Sequence, residues 1–195
     1  MRKLTLAALA LGALLAARPA LAAPPPRPQA AVASPGSLDR EISIFGITSP
    51  YSGYASAGTG LGLGGRYQMT LVPEGILQNA KIHDDLGLEL GLDWQHYGWS
   101  TNDPFNGNVS WSFNEISPVV GGVWNFWLND RFAVYPKLDL FYRIGWWSTS
   151  LQGASTPSGF GGFDAQIAAG LVYKLEKVAL RLELGSYSIR VGVGF

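Results

Sequence analysis

Taken two residues at a time, the stretch Arg131–Trp147 (RFAVYPKLDLFYRIGWW) separates into two unlike sets. Phe132, Val134, Pro136, Leu138, Leu140, Tyr142, Ile144 and Trp146 carry no charge, whereas the alternate set includes Lys137, Asp139 and Arg143. Side chains of a β-strand point to opposite faces in turn, so this spacing predicts one face without ions and one that holds them all. The pattern recurs. Leu61, Leu63, Tyr67, Met69 and Leu71 alternate with Gly62, Gly64, Arg66, Gln68 and Thr70, and Leu86, Leu88, Leu90, Leu92 and Trp94 with Gly87, Glu89, Gly91, Asp93 and Gln95. Phe163, Ala165, Ile167, Ala169, Leu171 and Tyr173 oppose Asp164 and Gln166, and Ile189, Val191, Val193 and Phe195 oppose Arg190, Gly192 and Gly194.

Strands are predicted at 41–49, 60–72, 81–97, 110–127, 132–148, 161–174, 177–184 and 187–195. The first, EISIFGITS, breaks parity between Ile44 and Phe45. Connections at 50–59, 98–109 and 149–160 are long and polar, those at 129–131 and 175–176 are minimal, and 73–80 is intermediate. A soluble sandwich also alternates, but its strands centre near ~5–6 residues. Strands of this length, with an apolar face uncharged through its middle and a face rich in Gly and ions, fit a membrane barrel whose spans need roughly 9–11 residues. The predicted fold is all-β: an antiparallel, up-and-down transmembrane β-barrel of about eight strands at 41–195. Long external loops and short periplasmic turns fit eight strands; a count of six would put 98–109 and 149–160 in the periplasm.

Aromatic residues gather towards the strand ends. Trp94, Tyr97, Trp99, Trp111, Phe113, Trp146, Trp147, Phe160 and Phe163 form one group, and Trp124, Phe126, Trp127, Phe132, Tyr135, Tyr173 and Phe195 the other. Two interfacial belts are the expected reading.

The N-terminus reads as a cleaved export signal at 1–22. Arg2 and Lys3 precede the apolar run Leu4–Ala17, and Ala20-Leu21-Ala22 supplies small residues before the cut. A Pro/Ala-rich periplasmic linker is read at 23–40. The chain has no Cys, which excludes a lipid-anchored cysteine, disulfides and thiolate metal sites. Removing the signal leaves a charge of about −3, and nothing suggests a nucleic-acid partner.

The parity rule places Arg66, Glu89, Asp93, Glu115, Lys137, Asp139, Arg143, Asp164, Arg181, Glu183 and Arg190 on the inward face. Acids and bases are nearly balanced in this set. Buried ions are costly unless paired, and an eight-stranded interior is just filled by side chains, so the set predicts a plug of salt bridges. An ion pathway would favour an excess of one sign.

In these features the chain resembles the small eight-stranded outer-membrane proteins of Gram-negative bacteria, of the OmpA transmembrane-domain and OmpX type. The carriers are the dyad alternation, the aromatic groups and the final strand YSIRVGVGF. The resemblance implies outer-membrane localisation, contact with outer-membrane lipid and lipopolysaccharide, and recognition of the terminal Phe195 strand by barrel-assembly machinery. It implies no cofactor.

Two clusters invite chemistry. Pairing across 98–109 is expected to set His96 opposite Ser112 on the lipid face, the beginning of a nucleophilic pair for lipid A or phospholipid acyl hydrolysis. No outward acid is available to orient the imidazole, so an interfacial histidine is preferred. In KIHDD (81–85), His83, Asp84 and Asp85 are adjacent, but Asp84 points away from the other two, and a solvated strand start is expected rather than a metal site. GTGLGLGG (58–65) enters a strand, not a helix, and is no phosphate cradle. Loops 98–109 and 149–160 are the candidates for a surface ligand.

Overall fold

The computed structural model describes residues 40–49, 59–77, 82–105, 107–149 and 159–195. The signal read at 1–22, the linker up to 39 and the connections 50–58, 78–81 and 150–158 lie outside them. Every described residue belongs to one compact unit within Ser34–Phe195.

Eight strands follow one another: β1 (Arg40–Ser49), β2 (Gly60–Val72), β3 (His83–Asp103), β4 (Gly107–Trp127), β5 (Phe132–Thr149), β6 (Gly159–Leu175), β7 (Val178–Gly185) and β8 (Ile189–Gly194). Each pairs antiparallel with the next, and β8 pairs with β1 to close the barrel. Closure supplies both neighbours to every strand, so no strand is an edge along its whole length. The turns at 128–131 and 176–177, together with Arg40 and Phe195, lie at one end of the barrel; the tip of the β3–β4 hairpin lies at the other.

The β3–β4 ladder departs from expectation. Within the segment 98–109, residues 98–103 and 107–109 are strand rather than loop, and the ladder is paired continuously from His83↔Trp127 to Asp103↔Gly107. The segment's Gly, Ser and Asn content reads as loop, yet the backbone register runs on through Trp99↔Trp111 and Thr101↔Val109, residue types with a preference for strand. Gly107 takes the positive φ that the tight reversal requires. The linker boundary also shifts, because Arg40 already belongs to β1.

The β4–β5 ladder is interrupted where proline removes a donor. Neither Pro118 nor Pro136 is paired across it, and the ladder resumes at Val119↔Phe141 and Phe126↔Val134. At the far end of the barrel β7 and β8 are short, and Gly185 N donates to Ser188 O at 2.7 Å to close their hairpin.

The two faces of the wall are chemically opposite. Ile42, Ile44, Leu61, Leu63, Leu90, Leu92, Leu138, Leu140, Ile167, Leu184 and Val191 are exposed on the outside. Inside, Glu41, Arg66, Glu89, Asp93, Glu115, Lys137, Asp139, Arg181, Glu183 and Arg190 are buried. A water-soluble domain buries the first set and exposes the second. This barrel does the reverse.

Glycines on the inner face make room for the lumen's larger groups. Tyr135 on β5 is paired with Gly170 on β6, and a Cβ at Gly170 would meet the tyrosine ring. Phe45 covers Gly192 in the same way across the β1–β8 seam. Phe45 and Ile47 point inward, so β1 keeps one parity throughout, with Glu41, Ser43, Phe45, Ile47 and Ser49 inside. The apparent break at Ile44–Phe45 arises because the lumen takes apolar as well as polar side chains.

Candidate functional site: the ion-filled lumen

The interior is stacked in three levels. At the end bearing the short turns, Asp85 accepts from Asn125 Nδ2 at 2.7 Å and from Trp127 Nε1 at 2.6 Å. Val123, Trp127, Ala133, Tyr135, Val172 and Ala179 pack as an apolar cluster around this level, and Lys174 Nζ lies 4.6 Å from the Trp127 ring centroid.

The middle level is a continuous ionic layer. Lys137 Nζ on β5 reaches across to Glu89 on β3 at 2.5 Å, and also meets Glu183 at 3.2 Å and Asp139 at 3.5 Å. Tyr135 donates its hydroxyl to Glu183 at 2.9 Å. Arg181 on β7 pairs through Nε with Glu41 on β1, donates to Gln68 on β2 at 2.6 Å, and lies 3.5 Å from Glu89. Arg190 on β8 contacts Glu183, Asp139 and Asp93 at 3.3, 3.4 and 3.1 Å. Arg66 grips Asp93 with two parallel bonds of 2.6 and 2.7 Å, the bidentate geometry that makes guanidinium–carboxylate pairs strong. The side chains of Lys137, Asp139, Arg181 and Glu183 have no solvent exposure. These contacts join strands that are not neighbours in the wall, so the layer crosses the lumen.

The upper level is looser. Ser49 and Tyr97 both donate to Gln95 Oε1, at 2.5 and 3.1 Å. Ser117 donates to Glu115 at 2.8 Å, and Gln166 to Ser188 at 3.2 Å. Arg143 lies between Glu115 at 3.5 Å and Asp164 at 3.1 Å; the Asp164 side chain is 42% exposed, so this pair meets solvent.

All eleven residues of the inward set therefore have their ions on the lumen side, but not in one cluster. Arg66, Glu89, Asp93, Lys137, Asp139, Arg181, Glu183 and Arg190 belong to the middle layer, and Glu115, Arg143 and Asp164 to the level above it. Two inward carboxylates escaped the sequence reading. Glu41 was hidden by the ambiguous parity of β1, and Asp85 by its place beside Asp84 at a strand start. Both shift the lumen towards acid.

Asp84 is a further correction. It faces the outside of the wall, yet it is buried, not solvated. Its carboxylate accepts Ile76 N at 2.8 Å, Leu77 N at 3.2 Å and Trp124 Nε1 at 2.7 Å. The turn after β2 folds onto it, entered at Gly75 with positive φ and preceded by a β-bulge between Thr70 and Val72. No metal-binding cluster of His, Cys, Asp or Glu occurs among the described residues.

The aromatic groups are also redistributed. Trp94, Phe163, Tyr173 and Phe195 are exposed on the outside, whereas Tyr97, Phe113, Trp127 and Tyr135 are buried in the lumen. Phe113 is packed between Tyr97 and Trp147, with ring centroids 5.7 and 4.6 Å away. The side chains of Trp99 and Phe160 lie outside the described set.

The expected His96–Ser112 pair does not form. The register sets His96 opposite Asn114, with Nδ1 and Oδ1 3.0 Å apart, and Ser112 opposite Gly98. Ser112 instead hydrogen-bonds Ser148 on the next strand at 2.7 Å. On its other side His96 is paired with Leu61, so no carboxylate is set beside it on either flanking strand.

Apolar outside, ionic inside and closed by antiparallel neighbours, the chain has the architecture of a transmembrane β-barrel. No protein-family model matches the sequence, and comparison with curated proteins finds no significant relative. Solved structures of similar architecture include Ail, the attachment invasion locus protein of Yersinia pestis, at 12% identity and TM-score 0.48, covering 80% of this chain and 94% of that one. The N-terminal β-barrel domain of Pseudomonas aeruginosa OprF is similar at 17% identity and TM-score 0.44, with 80% and 95% covered. Neisserial surface protein A is similar at 14% identity and TM-score 0.42, with 80% and 94% covered.

Proposed function

We propose that this chain is an integral outer-membrane protein whose lumen is sealed by its ionic layer. It serves envelope architecture or surface interaction through the end that carries the β3–β4 hairpin. The observation that carries this reading is the cross-section at Lys137, Glu89, Arg181 and Glu183, where four side chains from three strands meet with at most 1% exposure. A pore needs a hydrated path with binding weak enough to release ions, and interlocked salt bridges without solvent oppose both. The apolar outer wall supports placement in a bilayer, and the closed β-barrel formed by the described residues supports the outer membrane, where barrels satisfy backbone groups between strands. Periplasmic placement of Arg40 and Phe195, contact with lipopolysaccharide, and assembly through the Phe195 strand belong to the same proposal.

An acyl-hydrolase role through His96 and Ser112 loses its geometric support, because His96 is set opposite Asn114 and bonds it, while Ser112 bonds Ser148. The discriminating experiment inserts the folded barrel into planar bilayers. The proposal expects no steady conductance across the usual voltage range. A stable ohmic channel would overturn the sealed-lumen reading.

A further inference from the structure

Above the ionic layer the lumen is not filled. A cavity of about 300 Å³ lies there, with buried Asp93 and Arg190 in its lining and Asp164 and Tyr187 at its exposed rim. That is roughly ten water-sized volumes, enough for a small solute.

The lining is electrostatically uneven. Asp93 is satisfied by Arg66 and Arg190, Gln95 by Ser49 and Tyr97, and Gln166 by Ser188. Glu115 and Asp164, by contrast, share the single cation Arg143. Asp164 takes the closer contact. Glu115 Oε1 accepts from Ser117, while Oε2, 3.5 Å from the guanidinium, accepts no hydrogen bond from the described residues, although Glu115 is only 2% exposed. A buried carboxylate oxygen short of donors is a high-energy group, and a charged N–H donor is the partner that relieves it most.

We infer that this vestibule binds a small organic cation, whose ammonium group donates to Glu115. A metal ion fits less well. It needs several oxygens converging on one point, and here the Arg143 guanidinium stands between the two carboxylates. An ammonium needs only one acceptor at its tip; the Tyr187 ring at the rim already has the Arg143 guanidinium 5.8 Å from its centroid, so Glu115 is the contact the cation relies on.

The test is isothermal titration calorimetry on the folded full barrel in detergent micelles at neutral pH. The probes are putrescine, its uncharged analogue butane-1,4-diol, succinate and magnesium ion. Saturable binding of putrescine alone is expected, weakened roughly tenfold or more in Glu115→Gln, the loss expected for one charge-assisted hydrogen bond. Asp164→Asn, at an exposed position, is expected to weaken binding by a smaller factor, and it serves as the informative variant should Glu115→Gln fail to fold. Absence of saturable binding, equal binding of the diol or succinate, displacement of putrescine by magnesium, or undiminished affinity in the variants would each overturn the inference.

Discussion

Lys137 and Glu89 face each other across the lumen, from β5 and β3, with Nζ and Oε2 2.5 Å apart and both side chains sealed from solvent. The same ammonium holds Asp139 and Glu183, so one cation restrains three carboxylates contributed by three strands. Replacing Lys137 with Met would leave that acidic trio without its common partner. Breaking a buried pair from one side typically costs about 3–5 kcal/mol, and the loss is expected in that range. Urea unfolding of the barrel in micelles, followed by tryptophan fluorescence, measures it. The double replacement Lys137→Met with Glu89→Gln should recover part of the loss, because it also removes one of the stranded charges.

Asp93 and Asp164 provide an internal comparison. Asp93 is buried and receives two bonds from Arg66 and one from Arg190, whereas Asp164 contacts Arg143 at a partly solvated rim. Asp93→Asn is therefore expected to destabilise by several-fold more than Asp164→Asn. For the latter, about 0–1 kcal/mol is expected, as for exposed ion pairs. Equal effects would show that the upper pair is as desolvated as the lower one.

Gly170 exists as glycine because the Tyr135 ring lies where its side chain would be. Gly170→Val is expected to cost about 1–3 kcal/mol through overpacking. Combining it with Tyr135→Ala should remove the clash, so the double variant should lose less than the sum of the two single changes. Additive losses would mean that the two sites do not share the space. The readout is again the unfolding midpoint.

Asp84 organises the turn after β2 by accepting two backbone amides and one indole. In Asp84→Ala those donors lose their acceptor, and about 1–3 kcal/mol is expected from each that stays buried and unsatisfied. The change is local, so hydrogen exchange should quicken at Ile76 and Leu77 while the amides of β5 keep their protection.

Much of this architecture was legible in the sequence because a period of two survives any error in strand ends. Leu138 and Asp139 fall on opposite faces whether β5 stops at 148 or 149. The rule failed where the lumen departs from simple polarity. Phe45 and Ile47 face inward onto neighbouring glycines, and this hid the parity of β1 and with it Glu41. Composition misled at 98–109, where Gly, Ser and Asn read as loop while the pairing of Thr101 with Val109 continued the ladder. The resulting register moved His96 from Ser112 to Asn114, so a site inferred from loop length dissolved when the loop shortened. Long-range partners such as Arg181 with Glu41 were beyond sequence reach, since alternation assigns a face but not a height or a facing strand.

The most direct test of the account is a single-cysteine scan along β5. The chain has no native Cys, so each label reports one position. With spin labels at Val134, Leu138, Leu140, Phe141 and Ala133 of the bilayer-reconstituted barrel, the account predicts high oxygen accessibility at positions 134, 138 and 140. It predicts low oxygen accessibility at 133 and 141, and low accessibility to a water-soluble relaxer at 133. Uniform accessibility along the strand, or access of the aqueous relaxer to 138 and 140, would contradict an apolar wall facing lipid around an ion-filled interior.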